Sequence, residues 1–494
     1  MKKLLLILAA CLVSAFALQS ATEPIHVGER LELFVDRHLI DEITGDAELK
    51  MHRPEPREVV LVTGEPWEGN TCAYYTIFED SRDGKPLYRM YYRGSHWIVE
   101  TKKASHPEVV CYAESNDGIK WVKPKLGLFE FNGSKENNIV WNGVGTHNFT
   151  VFKDKNPNCQ PDARYKAIAR GRSLVKGDKA SKHGLFVYKS KDGIHWKLYK
   201  DEPVITKGAF DSQNLAFWDP VEKQYRDYHR YFNSDRKRDI MTSVSHDFVN
   251  WSEPVPINYE DGRAEHLYTN AIQPYDRAPH ILIGFPTRYI PKGSAVAPLI
   301  MTGRDRLNFY KWPEPVIPMS APKDRAGNRS NYMTWGMLRL SGAREEISVY
   351  ATEAYYEGPN SRLRRFVYRN NGFVSLHAGA GKTGELLTKP LTFCSATNPQ
   401  GLSFLLMVDG DIHDGGSIQV SLVDEAGKEI PGFGAGQSKW NGKGGSIGSS
   451  VNWKNADADK WSDLNSLSGR AIRLKIKITN ADVYAFRFGR LIIY

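Results

Sequence analysis

Apolar and polar positions alternate over short runs through most of the chain, and helical periodicity is scarce. The run Leu185-Phe186-Val187-Tyr188-Lys189-Ser190 reads as a strand leading into a turn, Lys191-Asp192-Gly193-Ile194-His195-Trp196, whose Trp anchors the strand after it. Ser115-Asn116-Asp117-Gly118-Ile119-Lys120-Trp121 repeats that turn at every key position. Ser245 to Trp251 keeps Ser245, Asp247 and Trp251, Gly303-Arg304-Asp305 keeps the Asp, and Arg369-Asn370-Asn371-Gly372-Phe373 is a degenerate fifth copy. The aligned positions 117, 192, 247, 305 and 371 are separated by 75, 55, 58 and 66 residues. That period suits a four-stranded propeller blade with variable loops, and five copies predict five blades. The turn itself is structural: its Ser and Asp bond nearby backbone N–H groups, its Gly permits a positive φ, and its Trp covers the blade.

Before the first blade, residues 22–63 read as an entry segment packing on the propeller, with Leu31 to Val35 a strand and Arg53-Pro54-Glu55-Pro56 a stiff connector. The propeller is expected over 64–377. Beyond it the pattern changes to longer alternating runs, such as Leu402 to Val408 and Ile472 to Ile478, separated by Gly and Asn clusters. They predict a β-sandwich of jelly-roll type over 378–494, so the fold class is all-β: a five-bladed propeller followed by a sandwich.

Composition changes this picture mainly at the ends. Met1-Lys2-Lys3, an apolar run from Leu4 to Val13 and Ala15-Phe16-Ala17 read as a signal peptide over 1–17, so a secreted or periplasmic protein is expected. Cys11 in Leu8-Ala9-Ala10-Cys11 offers lipoprotein anchoring as a minor alternative. No other run has the length of a transmembrane segment. The net charge of +9 is spread among acidic residues, which argues against nucleic acid and permits an anionic glycan as partner. The other four cysteines, Cys72, Cys111, Cys159 and Cys394, are too widely spaced for a zinc site; buried thiols or one or two bridges both suit an exported chain. No metal or other cofactor is expected, because His147, His229 and His266 show no metal-ligand spacing.

Stepping back one blade from each turn gives the expected innermost strands, beginning near Asn70, His147, Asp211, His266 and Asn331. Their starts carry Glu68 and Asn70; His147 and Asn148; Asp211, Gln213 and Asn214; Glu265, His266 and Asn270; and Asn331 and Trp335. Inner strands line a propeller's axis, so these residues are candidates to meet in one funnel. Three carboxylates there suit glycosidic hydrolysis, in which one carboxyl protonates the leaving oxygen and another activates water or attacks the sugar. Asn70, His147, Asn148, Gln213, Asn214, His266 and Asn270 are expected to hold sugar hydroxyls, and Trp335 to stack on a ring. Arg288, and the Arg226 to Arg230 stretch, are candidates for a carboxylate or sulfate on the substrate. The competing reading is that the polar residues satisfy backbone groups around the channel.

Five blades, Ser-x-Asp-Gly-x-x-Trp turns, carboxylates on separate inner strands and a C-terminal β-unit together resemble the five-bladed propeller glycoside hydrolases, including families 43 and 32. That resemblance implies a base from the first blade, an acid Glu from a later blade and an Asp between them, which here would be Glu68, Glu265 and Asp211. By the same analogy the reaction would be inverting. The chain departs from family 32 in lacking its Trp-Met-Asn-Asp-Pro, Arg-Asp-Pro and Glu-Cys motifs, and its first-blade carboxylate is Glu where the pattern has Asp. It therefore resembles a divergent member. The alternatives are a non-catalytic carbohydrate-binding propeller, a sialidase, which needs an arginine triad, and a glycoside phosphorylase, which needs a basic phosphate pocket.

Overall fold

The computed structural model describes residues 23–172, 183–320, 330–394, 404–442, 447–454 and 461–490; the expected signal peptide over 1–17 and Cys11 lie outside them. Five β-blades surround an axis. Blade one comprises Ala73–Arg82, Lys85–Gly94, Val109–Ser115 and Ile139–Trp141, from the innermost strand outwards. Blades two and three repeat the plan with Thr150–Lys153, Tyr165–Arg172, His183–Ser190 and Lys197–Leu198, then Leu215–Asp219, Gln224–Phe232, Arg238–Ser245 and Val255–Pro256. Blade four runs Gln273–Tyr275, Ala278–Gly284, Met301–Gly303 and Asn308–Lys311, and Asn258–Tyr259 adds a parallel strand to its outer edge.

Blade five is assembled from both ends of the propeller. Glu346–Glu353 and Arg362–Arg369 pair with each other, and the N-terminal strand Glu55–Val62 takes the outermost place. The innermost place is held by bridges from Met333 to Ala351 and from Leu338 to Ser348. Blade five then meets blade one: Trp335 N–H donates to the Tyr75 carbonyl at 3.0 Å and Ile77 N–H to the Trp335 carbonyl at 2.8 Å. Gly336 permits this approach, since at φ 147° a Cβ there would stand 2.1 Å from the Ile77 carbonyl oxygen.

The repeated turns explain the regularity of the outer edge. Ser115 Oγ accepts from the N–H groups of Asp117 and Gly118, Asp117 accepts from those of Ile119 and Lys120, and Trp121 Nε1 donates back to the Gly118 carbonyl. Blades two and three reproduce the set around Ser190 and Ser245, and Asp305 keeps its two backbone bonds in blade four. The fifth copy differs. Asn371 itself takes the positive φ of 59°, and its side chain bonds Tyr275 and Asp409 instead of the local backbone.

The residues before Glu55 divide between the two bodies instead of only packing on the propeller. Leu31, Leu33 and Val35 enter the propeller core and Phe34 enters the C-terminal core, so one short alternating segment is buried on both faces. Glu32–Leu33, Ile40–Gly45 and Glu48–Met51 pair with strands of the C-terminal unit. The expectation of a jelly-roll sandwich is met as far as an all-β unit with its own core. Its strands hydrogen-bond into one sheet built on Val374–Thr388, Phe404–Val423 and Arg473–Arg490, with register breaks between Ala378 and Thr383 and between Ile412 and Ser417. Cys72, Cys111, Cys159 and Cys394 are free thiols, Cys72 and Cys111 being buried in the core of blade one.

Candidate functional site

The second strands of blades one to three each carry an arginine near their C-terminal end, Arg93, Arg170 and Arg230. Tyr91 pairs with Thr76, Ile168 with Thr150 and Tyr228 with Leu215, and Arg93, Arg170 and Arg230 each lie two residues further along. Side chains repeat every second residue on a strand, so the three guanidinium groups share a face and a level. The segments leading into the inner strands supply the rest. Tyr74 sits at φ 57°, inside a register break, which places its ring under the Arg93 guanidinium at 4.8 Å.

These residues form a closed ring of contacts through all five blades. Glu108 of blade one is 3.0 Å from His147 Nδ1, and His147 Nε2 is 3.2 Å from Asp211. Asp211 is gripped by Arg170 and lies 4.0 Å from Arg230, whose guanidinium sits 4.9 Å from the Tyr268 ring centre. Tyr268 contacts Tyr332 at 5.9 Å between ring centres, and Tyr332 contacts Tyr355 at 5.5 Å. Arg93 closes the circle by donating to the Tyr355 hydroxyl at 3.0 Å and pairing with Glu108 at 3.4 Å. Arg238 flanks it, over the rings of Tyr268 and Tyr289.

Charge inside the ring is set by these contacts. The His147 contact at 3.2 Å, opposed by burial and helped by the charges of His147, Arg170 and Arg230, holds the Asp211 carboxyl at about 2. Burial pushes the Glu108 carboxyl up, but the His147 hydrogen bond and the charges of Arg93, His147 and Arg170 outweigh it and leave it below the usual carboxylate range. Burial raises the phenols of Tyr74, Tyr332 and Tyr355, which therefore stay protonated donors at neutral pH. The Asp211 side chain is 56% exposed and that of Glu108 31%, so both carboxylates are reachable from solvent.

Of the three carboxylates expected in the funnel, only Asp211 belongs to this ring. Glu68 has a fully buried side chain, accepts from the Tyr92 hydroxyl at 2.5 Å and pairs with Lys123 at 2.7 Å; burial raises its carboxyl, and Lys123 and Tyr92 offset only part of that. Glu265 is held between Lys311 and Arg288, each at 3.2 Å, within blade four. Neither shares a partner with Asp211. Of the expected sugar-binding residues, His147 lies in the ring and His266 stands beside it, with its ring 6.1 Å from Tyr289. Arg288 is committed to Glu265 and to the Pro313 carbonyl.

The amides serve the backbone instead. Asn148 and Asn214 both donate to the carbonyls of Phe210 and Ser212. Asn70 bonds the carbonyls of Trp97 and Gly358, and Asn270 that of Tyr228. Gln213 reaches across to the Tyr75 carbonyl, and Trp335 Nε1 to that of Ile272. The first of these joins blades three and one across the axis and the second joins neighbouring blades five and four; a separate cavity of about 350 Å³ is lined by Phe78, Trp218, Tyr275, Met337 and Trp335 itself among others. The carboxylates there, Glu79 and Asp276, are paired with Arg344 and Arg339.

Sequence reasoning missed Arg93, Glu108 and Arg170 and the tyrosines of the ring. The pairs Arg93-Gly94 and Arg170-Gly171 are a usable signal, because they lie near the ends of equivalent strands. Among the described residues, no group of three His, Cys, Asp or Glu side chains is arranged to hold a metal, and no helix is long and apolar enough to cross a membrane.

No protein-family model matches the sequence, and no curated protein does. Solved structures resemble the fold. A β-1,2-mannobiose phosphorylase from Listeria innocua matches at 10% identity and a TM-score of 0.44, over 65% of this chain and 97% of that one. A thermostable family-43 glycoside hydrolase matches at 13% identity and 0.41, over 62% and 93%. A Bombyx mori family-32 β-fructofuranosidase matches at 11% identity and 0.38, over 89% and 94%. Likeness at this level carries no argument about what this chain acts on.

Proposed function

We propose that the protein is an exported enzyme that hydrolyses a glycosidic bond of a poly- or oligosaccharide in the funnel bounded by the ring from Arg93 to Tyr355. The observation supporting this is the pair of solvent-reachable carboxylates, Glu108 and Asp211, held on opposite sides of one imidazole. His147 stands between them, Nδ1 3.0 Å from Glu108 and Nε2 3.2 Å from Asp211, so the three side chains form one line of proton-exchanging groups along the funnel wall. In this reading Asp211 takes the proton of the attacking water. His147, backed by Glu108, carries a proton to the leaving oxygen, and the protonated tyrosines bond and stack on the sugar.

One observation favours a carbohydrate-binding propeller without catalysis: both carboxylates are held ionised by cations, and neither is poised as an acid. A panel of neutral, uronic and sulfated plant and algal glycans separates the two. Release of new reducing ends, lost in His147→Asn, is the expected result; binding with no release by the wild-type protein would replace the hydrolase with the binding reading.

A further inference from the structure

We propose that the sugar bound in this funnel carries an oxyanion, a carboxylate or a sulfate ester, and that Arg170 and Arg230 are the residues that read it. The proposal rests on the funnel being a glycan site and names the class of glycan.

Four guanidinium groups, from Arg93, Arg170, Arg230 and Arg238, face or flank a space containing two carboxylates, Glu108 and Asp211. Positive charge therefore exceeds negative charge before His147 is counted. A site for neutral sugars has no need of that excess, because hydroxyl groups are bound as well by amides, and the amides here are spent on backbone carbonyls.

Arg230 is the more telling of the pair. Its side chain is only 6% exposed, Nε donates to the Ala209 carbonyl, Nη2 stands 4.0 Å from Asp211, and Nη1 has no hydrogen-bond partner among the described residues. A buried guanidinium with an unpaired N–H is costly unless something accepts from it, and a planar or tetrahedral oxyanion bound bidentately is the group that fits a guanidinium fork. Arg170 is 32% exposed and already grips one carboxylate, Asp211, across the same space.

A ligand oxyanion entering between Arg170 and Arg230 competes with Asp211 for both cations. His147 contributes most to the lowered Asp211 carboxyl and Arg170 and Arg230 add to it, so each guanidinium drawn to the ligand removes part of that hold and moves Asp211 towards a stronger base. An uncharged sugar would leave the Arg170 contact to Asp211 in place.

The test is calorimetric titration of the full chain with matched oligosaccharides: a uronate oligomer against its methyl ester, and a sulfated oligomer against its desulfated form. The wild-type protein should prefer the charged member of at least one pair by tenfold or more, with the preference shrinking in high salt, as expected for an ion pair. Arg170→Gln should erase that preference, and Arg170→Lys, which keeps charge but loses the fork, should recover only part of it. Preference confined to the first pair assigns a carboxylate, and to the second a sulfate. Equal affinities within both pairs, no binding of any charged member, or an undiminished preference in an Arg170→Gln, Arg230→Gln double variant would overturn the proposal. Cleavage without charge preference removes this inference and keeps the hydrolase. Charge-selective binding without cleavage does the reverse.

Discussion

Arg304→Met should loosen the joint between the entry segment and blade four by about 2–3 kcal/mol. Arg304 pairs with Glu32 at 2.6 Å and Asp36 at 2.8 Å and donates to the Leu33 carbonyl, while the Glu32 side chain is wholly buried. Burial pushes the Glu32 carboxyl up, but the approach of His280 at 3.3 Å and the charges of Arg304, His280 and Arg30 outweigh it and hold it at about 2 against an ordinary 4.5. At about 1.4 kcal/mol per unit that depression contributes on the order of 3 kcal/mol at neutral pH, near the lower end of the roughly 3–5 kcal/mol lost when a buried pair is broken. His280 and Arg30 remain in the variant, so part of the effect survives. A folded-state value below the unfolded one stabilises above the unfolded value and is lost as pH falls through the folded one. The difference between wild type and variant should therefore be full above about pH 5 and fade between about pH 4 and 2. Urea unfolding followed by tryptophan fluorescence at a series of pH values measures it. An unchanged midpoint at pH 7, or a deficit that persists undiminished at pH 3, would refute the reasoning.

The turns and the ring make a related acid prediction. In Asp247 burial raises the carboxyl, but the N–H groups of Asn250 and Val249 outweigh it and hold it at about 2, while Asp117 and Asp305 are lowered in the same way and Asp211 lies at about 2. All are depressed, so their stabilisation is present above about pH 4 and lost towards pH 2; a melting temperature that stays flat over that range would contradict it. Gly336→Ala should cost at least about 2 kcal/mol, through backbone strain and collision with the Ile77 carbonyl where blade five meets blade one, and a melting temperature equal to wild type would disprove that account.

Features settled by contacts three or four residues apart were legible in the sequence. The Ser115, Ser190 and Ser245 turns carry their hydrogen-bond partners within the motif, which is why the blades could be counted. Where the motif lacks its Gly, Phe248 and Arg306 take the same left-handed backbone at φ 69° and 70°. The site was less legible because its ring exists only after closure, and a polar residue at the start of an inner strand has two possible employers. The carbonyls of Phe210 and Ser212 need donors near the axis, and Asn148 and Asn214 supply them. Glu68 and Glu265 likewise found cations inside their own blades, Lys123 and Lys311, which a spacing argument does not see. The double burial of Leu31 to Val35 was hidden for the same reason, since alternation there serves two cores at once.

Asp211 lies in the ring that bounds the funnel, whereas Glu68 and Glu265 are paired with Lys123 and Lys311 away from it. Turnover of Asp211→Asn, Glu68→Gln and Glu265→Gln, measured side by side on a glycan that the wild-type protein cleaves, tests that division most directly. Asp211→Asn should lose about a hundredfold or more, the scale of a positioned base, and the other two should keep wild-type turnover wherever they remain folded. A folded Glu68→Gln or Glu265→Gln variant that is inactive, beside an Asp211→Asn variant that turns over normally, would contradict it.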